Sequence, residues 1–226
     1  MNERRSDRIF TGLGVGYVAL TLAGVVFASS IHGGSLSDSD AKIAVQIAHP
    51  VSSSNWVGLY LEMLAVGCFL AFAGWATRKL GEGVLAQIAR AIAGAWAAVT
   101  VASLGLMGGI AYTEGRGLTV PVDRALDAVN KGMYIGTWFL GAFFLLAVGA
   151  QAVKVLRRGL GWSAIAVAVI SLAATPSIDS FGELSVFLFF IWIVAASIAL
   201  AHGRGEPAVV AAVQHAPRFT RSGSAV

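Results

Sequence analysis

The residue best placed to do chemistry is Glu62, a carboxylate about 9 Å of helix rise beyond Trp56 within an apolar run. An ionised group at that depth is costly unless it is paired, faces the interior or takes up a proton. Asn55, Gly58 and Glu62 fall at i, i+3 and i+7, on one face of a helix. A second stripe, Asn130, Tyr134, Thr137 and Gly141, runs at i, i+4, i+7 and i+11 in another apolar run, with Lys131 beside it at the boundary. Both stripes lie at the same level, so Lys131 or Asn130 is in place to satisfy Glu62 across a helix contact. Glu62, Asn130, Lys131, Tyr134 and Thr137 together predict a small polar pocket that opens outward and binds a ligand. The competing reading is that Glu62 and its partner only fix helix register, a role open to buried polar groups.

Other constellations are weaker. His32 and His49 share a loop with Asp38 and Asp40, but zinc sites use short paired spacings and three or four ligands, so no metal is expected. Ser52, Ser53 and Ser54 lie near those histidines without the convergent base and oxyanion donors that acyl transfer needs, so the chain is not expected to be an enzyme. Gly12-Leu13-Gly14-Val15-Gly16 lacks the spacing and the preceding strand of a dinucleotide site, and no cofactor is predicted. The lone Cys68 excludes an intrachain disulfide and reads as apolar filler. Asp123, Asp127 and Asn130 share a helix face that reads as a solvated surface or an entrance to the pocket.

The elements that must position these residues are six apolar runs: Ile9 to Ser30, Trp56 to Trp75, Ile92 to Tyr112, Met133 to Val153, Leu160 to Ala174 and Leu184 to Ala201. A span needs about 20 residues, so the last two are the shortest fits. With 57% hydrophobic and 12% charged residues, the chain lies outside ordinary soluble usage. The expected fold is all-α, a polytopic bundle of six transmembrane helices forming one domain over residues 1–202. The small-residue and Pro-containing stretch 203–226 reads as a disordered cytoplasmic tail. Met1 to Arg8 followed by a long apolar run resembles a secretory signal, but the run exceeds the usual 7 to 15 residues and reads as an uncleaved span.

Orientation follows from Lys and Arg. With both termini cytoplasmic, twelve basic residues lie inside and only Lys42, Arg116, Arg124 and Lys131 outside. The basic pI of about 9.6 thus reflects topology, and no nucleic-acid partner is expected. In the outer loops, Ser39-Asp40 caps a short helix that ends before Pro50, with Ile43 and Ile47 on one stripe. Pro121 opens a helix that runs unbroken into the fourth span. Gly12/Gly16, Gly105/Gly109 and Gly132/Gly136 are expected to let helices approach closely. Trp56, Trp75 and Trp162 are placed as interfacial anchors.

The order Ser39-Asp40-Ala41-Lys42-Ile43-Ala44 through His49, Leu59-Tyr60-Leu61-Glu62, Ala125-Leu126-Asp127-Ala128-Val129-Asn130 and Leu156-Arg157-Arg158-Gly159-Leu160-Gly161-Trp162 resembles an uncharacterised six-span family of bacterial integral membrane proteins. That family is of high-GC Gram-positive type and carries a domain of unknown function. The resemblance implies topology and location in the cytoplasmic (inner) membrane, and no activity. Arg157-Arg158-Gly159 departs from the Pro-Arg turn expected there. The leading functional expectation is a membrane protein whose pocket binds a small molecule or lipid headgroup. The alternatives are a transporter or transporter subunit that uses Glu62 as its proton or substrate site, and a structural protein that binds a membrane-protein partner or a second copy of itself.

Overall fold

The computed structural model describes residues 3–28, 38–155, 157–174 and 178–202, with backbone alone at 3–4 and 178–183. The expected tail and His32 lie outside the described residues. Seven helices follow in order: α1 Glu3–Ala28, α2 Asp40–Ile47, α3 Ser53–Lys79, α4 Val84–Thr113, α5 Val120–Lys154, α6 Arg158–Ala174 and α7 Ile178–His202. Among the described residues there is no strand. Helices satisfy their backbone groups within the segment, as a lipid environment demands.

Five of these helices, α1, α3, α4, α5 and α7, are long and apolar enough to cross a membrane. The fifth apolar run is shorter than the rest. At 17 residues, α6 rises about 25 Å, short of a hydrocarbon core of about 30 Å. In contrast α5, with 35 residues, rises about 52 Å and carries its first turns well past any such core. Pro121 sits in the first turn of α5, where its missing N–H costs nothing.

Leaving α2 aside, each helix packs on its neighbour in sequence and α7 returns to α1, closing a ring that α3 crosses to touch α7. Glu3, Lys79, Val84, Lys154, Arg158 and His202 mark one end, here the terminal end. Ala28, Ser53, Thr113, Val120 and Ala174 mark the other, the cap end, where α2 sits. Ser39 accepts a hydrogen bond from the Lys42 N–H at 3.4 Å, and Ile43 and Ile47 are buried, so α2 folds its apolar stripe inward. Arg124 donates to Asp40 at 2.7 Å and to the Asp38 carbonyl at 2.6 Å, clasping α2 to the first turns of α5.

The helix crossings use different glycines from those the sequence suggested. A Cβ on Gly12, Gly16, Gly105, Gly109 or Gly132 would meet nothing within 4 Å, and one on Gly136 would reach only Val99 at 3.9 Å. The close approaches are Gly58 on α3, where a Cβ would lie 2.5 Å from Ala28 N, and Gly161 on α6, where it would lie 2.7 Å from Gly149 O. Glycine spacing along one helix does not say which face meets a neighbour. Trp75 also departs from expectation. It is buried, stacks on Phe10 at 6.0 Å and donates to Asp7 at 3.2 Å, while Asp7 pairs with Lys79 at 2.9 Å.

Candidate functional site

The cap half of the ring is hollow. A cavity of about 720 Å³ is lined from five helices around the ring, with Ser171 reaching it from α6. Pockets for small organic ligands usually fall at about 300–1,000 Å³ and combine apolar walls with a few placed polar groups. Here the walls are mostly apolar, and Glu62 is the one ionisable carboxylate or amine among the residues lining them.

Glu62 enters from α3 because Gly58, one turn earlier, lets α1 approach so closely that Gly24 faces the Glu62 side chain. Among the described residues it has no hydrogen-bond or ion-pair partner. Its recorded electrostatic neighbour is the buried phenol of Tyr17 on α1. The second stripe, Asn130, Tyr134, Thr137 and Gly141, also lines the cavity. The expected pairing across a helix contact is not formed. Ser103 on α4 donates to Asn130 Oδ1 at 2.6 Å, and Thr137 donates to the Tyr134 carbonyl at 2.6 Å. Lys131 does not line the cavity and interacts electrostatically with Asp127, one turn back. The cause is geometric. Helix α4 packs between α3 and α5, and Lys131 points about 100° around the helix from Asn130.

The floor of the cavity is aromatic. Tyr17 lies 5.2 Å from Phe69, 6.1 Å from Trp96 and 5.7 Å from Phe190, and Phe69 meets Trp96 at 4.3 Å. Perpendicular and tilted contacts of this kind suit the quadrupoles of aromatic rings. On the α5 wall Tyr134 and Trp138 stand at 85° with centroids 5.7 Å apart, and Trp138 Nε1 is buried without an acceptor among the described residues. Leu22, Val25, Tyr134 and Phe187 are about half exposed and rim the opening.

Several lining residues were not singled out in the sequence. Trp96, Thr100, Ser103 and Met107 run at i, i+4, i+7 and i+11 on α4, and Tyr17 and Thr21 at i, i+4 on α1. The same helical spacing that marked α3 and α5 was present there, but hydroxyls and rings within apolar runs are common and carry no charge to explain.

The acidic face on α5 is not simply solvated. Asp123 is fully buried at the first turn, and Glu114, which caps the end of α4, is 2% exposed. Burial, and then the charge of Asp123, raise the Glu114 pKa from 4.5 to about 7. Gly115 N donates to the Ile47 carbonyl at 2.8 Å, and its φ of +67° fits the left-handed turn that places the 114–119 loop beneath α2. The clasp of Arg124 on Asp40 draws this cap over the carboxylates. His49 is exposed, and Asp38 and Asp40 face Lys42 and Arg124, so they do not converge with it as ligands. Among the described residues no three His, Cys, Asp or Glu side chains cluster as metal ligands. Ser52 and Ser54 hydroxyls face each other at 2.6 Å, and among the described residues no histidine is hydrogen-bonded to either.

The chain matches no protein-family model, no curated protein and no solved structure.

Proposed function

We propose that this is an integral membrane protein that binds a small molecule or lipid headgroup in the hollow half of its helix ring. The observation that carries the reading is a cavity of about 720 Å³ around a carboxylate, Glu62, that has no ion-pair or hydrogen-bond partner among the described residues. A desolvated acid of this kind costs free energy that register-fixing alone does not repay, whereas a ligand or proton does.

The bundle sits in the cytoplasmic membrane with α6 as a short fifth pass of six and both termini inside, so that the cavity opens outward. Basic residues support this orientation. Arg5, Arg8, Arg78, Lys79, Arg90, Lys154, Arg157 and Arg158 fall at or near the terminal end, against Lys42, Arg116, Arg124 and Lys131 at the cap end.

The test is the thermal stability of purified protein, wild type and Glu62→Gln, against a broad set of metabolites and lipids. At least one compound should raise the wild-type melting temperature and raise that of Glu62→Gln less. If none shifts either protein and the variant simply melts lower, Glu62 is structural and the reading fails.

A further inference from the structure

The walls of the cavity narrow the class of ligand. Among the described residues lining it, Glu62 is the only ionisable carboxylate or amine, and Lys131, the basic residue nearest in sequence to the α5 stripe, does not line it. Around this one carboxyl group stand Tyr17, Trp96, Tyr134, Trp138, Phe189 and Phe190. Their rings meet close to perpendicular: Tyr17 at 82° to Trp96, 90° to Phe189 and 83° to Phe190, and Tyr134 at 85° to Trp138. An ammonium group is attracted to the face of such a ring, which is how aromatic cages hold it. The negative faces attract a cation most strongly where water is excluded.

Building on the cavity reading above, we infer that the site takes an organic ammonium cation with an apolar body, its charge set against Glu62 and its hydrocarbon against the aromatic walls. An anion would meet the carboxylate with no cation among the described lining residues to offset it. A neutral hydrocarbon would fill the space but leave Glu62 desolvated and unpaired. The volume exceeds what a bare ammonium group fills and suits one carrying a ring or chain.

An ammonium group reaches such a site either as a soluble amine or as the headgroup of a zwitterionic lipid, and one experiment separates the two. The full chain is placed in nanodiscs of phosphatidylglycerol alone. Intrinsic fluorescence, to which Trp96 and Trp138 in the cavity wall contribute, is titrated with benzyltrimethylammonium, its neutral carbon isostere neopentylbenzene and the anion benzenesulfonate. The cation should bind about tenfold or more tightly than the neutral isostere, and Glu62→Gln should remove that preference while leaving neopentylbenzene unchanged. Repeating the titration in discs containing phosphatidylethanolamine identifies the source: a weakened apparent affinity for the soluble cation marks the lipid headgroup as a competitor, and an unchanged one marks a soluble amine. Equal or tighter binding of the neutral isostere, or preference for the anion, overturns the cation inference and leaves the cavity reading standing. No binding by any of the three in either bilayer overturns both. Thr100→Leu, which narrows the cavity without touching the carboxylate, should weaken binding of the cation and of neopentylbenzene alike. Affinities unchanged in it place the ligand elsewhere and overturn the inference.

Discussion

On the terminal side of the aromatic floor, Phe72, Phe144, Leu145, Val148 and Ile193 are each under 2% exposed, whereas on the cap side residues of similar size stand around about 720 Å³ of open space. Both halves belong to the same helices. The filled half is closed by small residues at crossings, Gly149 on Gly161 and Gly14 on Ser197, and tied by polar contacts that have partners: Asp7 with Lys79 and Trp75, and Gln151 Nε2 donating to the Leu80 carbonyl at 2.8 Å. The hollow half carries Glu62 and the buried Trp138 N–H without such partners among the described residues. Empty volume forfeits dispersion contacts, and an unpaired buried polar group costs free energy. Among the described residues the filled half also holds buried polar atoms without a partner, Gln151 Oε1 and Trp192 Nε1, so the open volume is what sets the cap half apart, and that is the half a ligand would stabilise.

The sharpest way to break this contrast is to truncate one ring on each side. Phe144→Ala should cost about 3–5 kcal/mol, because its neighbours are already in contact and a cavity remains. Phe187→Ala, on the half-exposed rim, should cost less than about 1 kcal/mol. Chemical or steric-trap unfolding of both variants measures the difference. Equal losses would mean that the two halves are packed alike.

A smaller effect of opposite sign comes from filling the void. Thr100 lines the cavity and spends its hydroxyl on its own helix, at 2.8 Å from the Trp96 carbonyl. Thr100→Leu should therefore raise stability by about 0.5–2 kcal/mol, the range of cavity-filling changes. A lower melting temperature in the absence of ligand would show that the space is not available to a side chain.

The smallest expected effect concerns pH at the cap. In the folded protein Glu114 holds its proton up to about pH 7, and a freely solvated Glu releases it near 4.5. The folded state thus binds more protons between those values, and stability should decline as pH rises through that window. A melting curve series from about pH 5 to about pH 8 should fall by a few degrees in wild type and flatten in Glu114→Gln. A profile equally steep in the variant would place the titrating group outside the cap.

Some of this organisation was legible residue by residue. Ser39 before Asp40 and the Pro121 start of α5 act locally, through backbone groups within a turn, and the structure has both. The stripes through Glu62 and through Asn130, Tyr134 and Thr137 were readable because helical spacing alone decides which residues share a face. Their pairing was not. Ser103 holds Asn130 because α4 stands between α3 and α5, and no spacing within one helix carries that order. The glycines show the same limit: Gly105 and Gly109 have the expected interval and open surroundings, while Gly58, with no partner at that interval, sits on the backbone of α1. Asp123, expected on a solvated face or at the pocket entrance, is fully buried and does not line the cavity, while its neighbour Arg124 reaches Asp40, far away in sequence.

What the sequence determined by itself is therefore the set of helices and the faces along them, since backbone hydrogen bonding within a segment and the hydropathy of its residues are local properties. Only the tertiary structure decided which faces meet, that the terminal half closes and that the cap half stays open around Glu62. Those outcomes depend on how side-chain volumes from five or six helices sum in one place, and the sum is a property of the assembled ring.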